Sequence, residues 1–308
     1  MAWVFDEAAR ALRRSYLRQR PLRAGSLIIT LFGDAIAPRG GEISLASLIG
    51  IMSSFGLTER LVRTAVGRLA NEGWLVAERE GRLSHYGLTR LGRERFAEAT
   101  RRIYSASPPE WSGRWTLVLA GAGGHGRRQL RSELEWLGFG QLAPGTFAHP
   151  DTDMNRVRRE LTDPSWLNGA LILRAESIDA RADQRLIDRG WNLGDLERRY
   201  RRFIKLFTPV LAAANSRSSP ADEPSLVVRT LLIHEYRRVH LRDPLLPRSL
   251  LPADWAGAAA YELCRQLYAR VYRPADRHLD LMARTRRGTL PEPDADMRLR
   301  FGLGAAGA

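Results

Sequence analysis

The chain has 308 residues, 44% apolar and 27% charged, enough for two or three domains of roughly 150 residues that each bury a core, which excludes wholesale disorder. No run reaches the ~18–20 consecutive apolar residues of a membrane-spanning helix, residues 26–32 being the most apolar stretch, and the one cysteine, Cys264, excludes an internal disulfide or a CxxC pair and points to a reducing compartment. Forty-eight basic residues against 34 acidic ones leave a net charge of +14, which favours a polyanionic partner, nucleic acid or a membrane surface.

All but one of the basic residues are arginine, Lys205 being the exception, so part of the excess is compositional. Its placement is more informative. Residues 1–105 hold 17 arginines against 10 acids, and residues 106–308 hold 31 basic residues against 24 acids, so each part carries +7 and the first third is about twice as dense in charge.

Along the chain, Arg13-Arg14-Ser15-Tyr16-Leu17-Arg18 resembles a twin-arginine export motif. Asp6 and Glu7 ahead of it, and Gly33-Asp34 interrupting the short apolar stretch, argue instead for a cytoplasmic folded segment. Leu27, Ile28, Leu31, Phe32, Ala35 and Ile36 form one helical stripe that ends at Ala37-Pro38. A short extended Glu42-Ile43 follows, then Ser44 caps a helix over 45–54 and Thr58 caps another over 58–71, with Gly73 just beyond it. Two strands, 74–79 and 82–88, flank a tight turn at Glu80-Gly81, and a helix over 89–104 leads out. This order is that of a winged helix-turn-helix over 1–105.

Ser105-Ala106-Ser107-Pro108-Pro109 reads as a linker. Beyond it come a strand at 115–120, a glycine-rich turn, a helix at 127–137, an extended stretch at 141–149, a helix at 153–161 and a strand at 170–174. That alternation is too brief for a doubly wound sheet and predicts a ferredoxin-like sandwich over 110–178. Residues 179–283 turn mainly helical, with helices at 195–207, 226–239 and 255–272 around a loop at 212–224, and 284–308 is expected to be a flexible tail. The fold class is thus α+β.

The helix at 58–71 carries the predicted DNA-binding site. Leu61, Val62, Ala65, Val66 and Leu69 form its apolar stripe, leaving Arg60, Arg63, Thr64, Gly67 and Arg68 on the opposite face behind the cap Thr58. Forked guanidinium groups suit guanine edges and phosphates, and the small Thr64 and Gly67 permit close approach to a groove. Arg79, Arg82 and His85 on the strand pair are placed for phosphate or minor-groove contact.

Several runs closely resemble the PaaX family, bacterial repressors of phenylacetate catabolism. They are Leu31-Phe32-Gly33-Asp34, Pro38-Arg39-Gly40-Gly41, Val62-Arg63-Thr64-Ala65-Val66-Gly67-Arg68-Leu69, Glu72-Gly73-Trp74-Leu75 and Gly81-Arg82-Leu83-Ser84-His85-Tyr86-Gly87-Leu88-Thr89. The likeness continues at Gly138-Phe139-Gly140, His234-Glu235-Tyr236-Arg237-Arg238 and 242–257. The resemblance implies a winged helix, a Cas2-like ferredoxin-type middle domain and a helical C-terminal domain. It also implies a homodimer that binds double-stranded operator DNA and releases it on binding an aryl-CoA thioester, typically phenylacetyl-CoA.

For such an effector, Trp191, Tyr200, Tyr236 and Trp255 offer aromatic walls, and Arg201, Arg202, Arg237 and Arg238 offer partners for CoA phosphates. The same residues could equally be core aromatics and surface arginines. The strongest rival motif is Gly121-Ala122-Gly123-Gly124-His125-Gly126, a GxGxxG between a strand and a helix, the context of an enzyme's nucleotide or CoA site. The next extended segment is broken by Pro144-Gly145 and is not the aliphatic strand that should carry a ribose-binding acid, Asp151 being the only nearby candidate. Cas2-type metal chemistry needs a carboxylate where the first strand ends at Leu119-Ala120, and none stands there. The six histidines show no zinc-ligand spacing. The sequence therefore predicts a regulator with no catalytic residue, metal or cofactor, and no membrane partner.

Overall fold

A computed structural model describes residues 2–104, 110–120, 127–216 and 219–302. It divides into one unit of Met1–Ser105, Arg202–His240 and Ala259–Ala308 and another of Ala106–Arg201 and Leu241–Ala258. The first begins with a helix that the sequence reading passed over, α1 (Ala2–Leu17), whose buried Phe5, Ala9, Leu12 and Tyr16 recur at helical spacing and pack on α10 (Asp222–His240).

The next helix, α2 (Ala24–Leu31), ends earlier than its apolar stripe suggests. Phe32–Ile36 widens into a π-helical turn and Ala37–Arg39 tightens into a 3₁₀ turn with Pro38 inside it. The π turn has an identifiable cause: Asp34 is drawn inward onto a cluster of buried partners described below. β1 (Glu42–Ser44) then leads into α3 (Leu45–Ser54), where Ser44 Oγ accepts from the Ser47 amide.

Beyond α3 come α4 (Glu59–Asn71), β2 (Leu75–Glu80), β3 (Leu83–Leu88) and α5 (Arg90–Tyr104). The three strands form an antiparallel sheet in the order β1-β3-β2, with His85 opposite both Ser44 and Glu78. Thr89 Oγ1 accepts from the Gly92 amide at 2.9 Å and starts α5. Gly92 has to be small, because a Cβ there would lie 2.5 Å from the Trp74 carbonyl oxygen.

In the second unit, β4 (Arg114–Leu119), α6 (Arg127–Trp136), β5 (Gly140–Ala143), β6 (Thr146–Pro150), α7 (Met154–Glu160) and β7 (Leu171–Glu176) build a sheet in the order β5-β6-β4-β7 with antiparallel neighbours. The predicted single stretch at 141–149 is a hairpin turning at Pro144-Gly145, Gly145 having φ 77°. Alternation along β4 feeds two cores. Val118 faces Leu130, Leu134, Phe147 and Val157 on one side, while Trp115 faces Ile187 of α8 (Ala180–Gly190) with Leu246 and Leu250 on the other.

That second core draws on residues from beyond the expected middle domain. A sheet with two apolar faces needs two covers, so α8 and residues 241–258, expected in the C-terminal domain, belong to the middle unit. The remaining helices are α9 (Leu193–Ala214), α10 and α11 (Ala256–Met282), all longer than the sequence periodicity indicated. Within the first unit, the middle of α10 is buried all round, with Leu226, Val228, Leu232 and Tyr236 on different faces.

The expected flexible tail is a second correction. Residues 284–302 form a small hairpin, β8 (Arg284–Thr285) with β9 (Gly288–Thr289), then α12 (Ala295–Leu299), and Arg300 and Phe301 are buried. Polar clasps hold this segment in place of an apolar repeat. Arg39 donates to the Pro291 carbonyl at 2.7 Å and pairs with Asp280, the Asp294 amide donates to the Pro38 carbonyl, and the Arg284 amide donates to Ser47 Oγ. Among the described residues no helix is long and apolar enough to cross a membrane.

Two buried histidines set a pH dependence. Burial pushes His149 down to about 4, opposed by its bond to the Pro150 carbonyl and by Asp151 and aided by Arg156; burial, then Arg237 and Arg238, push His234 down to about 3. Both are neutral when folded but take up a proton near 6.5 when unfolded, so their contribution to stability is lost progressively as pH falls from about 7 to 4. At pH 5 each is expected to cost about 2 kcal/mol relative to pH 8. The urea midpoint should fall between those two conditions, and His149→Phe should reduce the fall; equal midpoints would overturn the assignment.

Candidate nucleic-acid interface

α4 is positioned by its own amphipathic pattern. Val62, Ala65, Val66 and Leu69 are buried, and Thr58 Oγ1 accepts from the Leu61 amide at 3.4 Å as the N-cap. The opposite face is open: Thr58, Arg60, Arg63, Thr64 and Arg68 are exposed, and a Cβ on Gly67 would meet nothing within 4 Å. Thr64 Oγ1 bonds back to the Arg60 carbonyl, which fixes its hydroxyl on the helix.

The three arginines of this face are not equivalent. Arg63 is held by Glu59 one turn earlier, with Nε 2.8 Å from Oε1. Arg60 and Arg68 make no ion pair among the described residues. They are the guanidinium groups free to meet a ligand without first breaking an internal contact.

On the strand pair, Arg79 and Arg82 are exposed beside the Gly81 turn. His85 is not: at 3% exposure it is covered, although it shares the face of Glu42 and Glu78, opposite the one on which Ile43, Leu75 and Leu88 enter the core. The reason is the tail. Arg286 ion-pairs with Glu42 on β1 and with Glu78 on β2, and a guanidinium spanning those two carboxylates crosses β3 above His85. The Arg286 hydrogen bond holds the Glu42 carboxyl below its usual range. Arg286 was not singled out from sequence; the arginine-dense run 284–287 was the available signal.

Behind this surface lies a buried polar hub centred on Asp34. Its carboxylate accepts from Tyr104 Oη at 2.6 Å, Tyr268 Oη at 2.9 Å and Arg229 Nε at 2.7 Å, and Arg300 pairs with it at 3.3 Å. Arg229 also pairs with Asp276 at 2.6 Å. Burial opposes the Arg229 charge, but Asp34, Tyr268 and Asp276 together hold its pKa well above the ordinary value. The hub ties the π turn to α5, α10, α11 and the tail. Gly33-Asp34 was noted only as a motif in the sequence.

The residues nominated for an effector are divided between the two units. Trp191, Tyr200, Arg201 and Trp255 fall in the second unit, and Arg202, Tyr236, Arg237 and Arg238 in the first. Trp191 lies against Gly140, where a Cβ would be 2.6 Å from its ring, and its Nε1 donates to the Gly138 carbonyl. Tyr200 is buried, donates to Asp243 at 2.7 Å and meets Trp255 edge-on; Arg201 pairs with Glu197 and Asp254. Tyr236 is buried and stacked on His240, Arg237 donates to Thr30 Oγ1 and to Ser26, and Arg238 pairs with Glu235. Arg202 is exposed.

None of these side chains lines the 680 Å³ cavity that Asp6, Arg10, Arg13, Glu223 and Pro224 border in the first unit. The glycine-rich turn at 121–126 lies outside the described residues. Among the described residues, no group of three histidine, cysteine, aspartate or glutamate side chains could hold a metal.

Comparison with known proteins matches family profiles along most of the chain: PaaX-like protein over 23–92, PaaX protein central Cas2-like domain over 108–187 and PaaX-like protein C-terminal domain over 191–281. The transcriptional repressor PaaX of Escherichia coli (strain K12) is 37% identical over 287 residues, which span 92% of this chain and 91% of that protein. Among solved structures, the uncharacterized protein Rv0674 from Mycobacterium tuberculosis shares 24% identity, with 75% of this chain and 89% of that one covered at a TM-score of 0.48. Profile matches in all three parts, together with identity over nearly the full length of a curated relative, establish that the chain belongs to the PaaX family.

Proposed function

We propose that this chain is a DNA-binding transcriptional repressor in which α2 to α5 and the β1-β3-β2 sheet act as a winged helix-turn-helix. α4 enters the major groove, and Arg79 and Arg82 on the wing meet the phosphate backbone beside it. The observation that carries this reading is the open face of α4, where Arg60 and Arg68 stand unpaired on either side of the space at Gly67. The repressor named among the relatives supports it.

The chain acts as a homodimer on an inverted repeat, since two copies of one recognition helix read two-fold-related half-sites about one helical turn apart. An aryl-CoA thioester releases the operator by binding the DNA-incompetent state more tightly. The relative named as a transcriptional repressor supports a regulator.

The test is an electrophoretic mobility-shift and footprinting titration on the DNA upstream of the protein's own operon. Protection of two symmetric patches, relieved by phenylacetyl-CoA and not by free CoA, is the expected result. Equal affinity for that fragment and for unrelated DNA at moderate salt would sink the repressor reading. A thermal-shift series across CoA thioesters tests the effector separately, because a ligand bound only to the folded state raises its stability by mass action.

A further inference from the structure

We propose that the β8–β9 hairpin is a second wing, which places the Arg287 guanidinium on a phosphate of the same duplex while Arg286 neutralises the carboxylates of the sheet beneath it. This rests on the winged-helix reading above. The hairpin is a tight one: Thr285 and Gly288 form the last strand pair, and Arg286 and Arg287 are its two loop residues. Gly288, at φ 110°, supplies the conformation that closes the turn, and Thr285 Oγ1 accepts from the Arg287 amide.

Both loop residues are arginine, and their surroundings differ. Arg286 turns onto the sheet, where it meets Glu42 at 2.7 Å and also pairs with Glu78. Arg287 is exposed, and its guanidinium has no partner among the described residues. The hairpin is anchored on both sides, by the Arg284 amide on Ser47 Oγ before it and by Arg39 on the Leu290 and Pro291 carbonyls after it. An unpaired arginine on an anchored loop can bind with little loss of backbone freedom.

Its position relates it to the wing. Glu78, the far end of the Arg286 clasp, directly precedes Arg79 and lies two strand residues, or roughly 7 Å, before the end of β2, where Arg82 stands in the turn. A phosphate chain passing the wing tip therefore runs within reach of the hairpin. Two carboxylates on this face would repel that chain. Arg286 cancels them, which explains why the loop spends one arginine inward and presents the other outward.

The probes are two fluorescein-labelled duplexes, the upstream fragment and one of random sequence, titrated by anisotropy from about 0.05 to 0.4 M salt. Arg287→Gln should lower affinity about fivefold at 0.15 M for both duplexes and reduce the slope of log K against log salt by about 0.9, the value of one phosphate contact. The thermal midpoint should not move, since Arg287 makes no side-chain contact to lose. Arg286→Ala should also weaken binding, and adding Glu42→Gln and Glu78→Gln to it should restore affinity, a rescue that a purely structural clasp would not show.

Wild-type affinity and slope in Arg287→Gln, on a protein that loses binding when Arg60 and Arg68 are replaced, would overturn the second wing and leave the first intact. Failure of the unaltered protein to bind either duplex would overturn both.

Discussion

Replacing Arg60 and Arg68 together by alanine should lower operator affinity about 100-fold or more while leaving the unfolding midpoint within a few tenths of a kcal/mol of the parent. A bidentate arginine on a base edge contributes ~1–3 kcal/mol, so the loss of two, with their share of phosphate attraction, amounts to about 3 kcal/mol at the low end. Both side chains are exposed and unpaired, so folding has nothing to lose by their removal. Arg63→Ala should cost less, because that guanidinium is already satisfied by Glu59 and must break the pair to bind. Quantitative anisotropy on the upstream fragment checks the ranking; an Arg63 variant more damaging than the double variant would mean that α4 meets DNA along another face.

Stability should depend most strongly on Asp34. Its carboxylate is fully buried and is shared by Arg229, Arg300, Tyr104 and Tyr268. Removing it by Asp34→Ala strands two buried guanidinium groups and two hydroxyls, and breaking a buried pair from one side costs about 3–5 kcal/mol. That is a large fraction of the ~5–15 kcal/mol typical of a folded domain. Arg300→Met leaves Asp34 bonded to its three other partners and should cost only about 1–3 kcal/mol. Urea unfolding followed by circular dichroism should show both losses in that order. If Asp34→Ala does not fold, Arg300→Met still yields a midpoint, and a parent-like value there would refute the hub. The same substitutions should free the tail from the π turn, which limited proteolysis near Phe301 would detect.

The local signals proved dependable where one periodicity served one face. Ser44 and Thr58 as helix caps, the buried stripe of α4, the turn at Gly81 and the split βαβ order of the middle unit were all legible, because each depends on residues within a turn or two of one another. α1 overlaps the arginine run 13–18, whose pattern resembles an export motif, although Phe5, Ala9, Leu12 and Tyr16 carry helical spacing. The tail was misread for a different reason. Its anchors are arginines whose partners, Asp34, Glu42 and Glu78, lie more than 200 residues away, and no hydropathy pattern reports such pairs.

The effector residues show the same limit from the other side. Aromatic and arginine side chains are of a type that can meet an acyl-CoA, but type does not decide direction. Tyr200 and Tyr236 point into cores, and Arg237 is committed to Ser26 and Thr30.

Taken alone, the sequence determined the family, the order of elements and the open arginine face of α4, because these follow from motif, capping and 3.6-residue periodicity. Only the tertiary structure decided which arginines remain free and which are clasps, that His85 lies covered beneath one of them, and that the last twenty described residues are part of the fold, because each of those depends on which distant carboxylate or carbonyl lies within about 3 Å of a guanidinium. The excess of basic residues thus divides in two: a part that holds the chain together and an unpaired part available to nucleic acid.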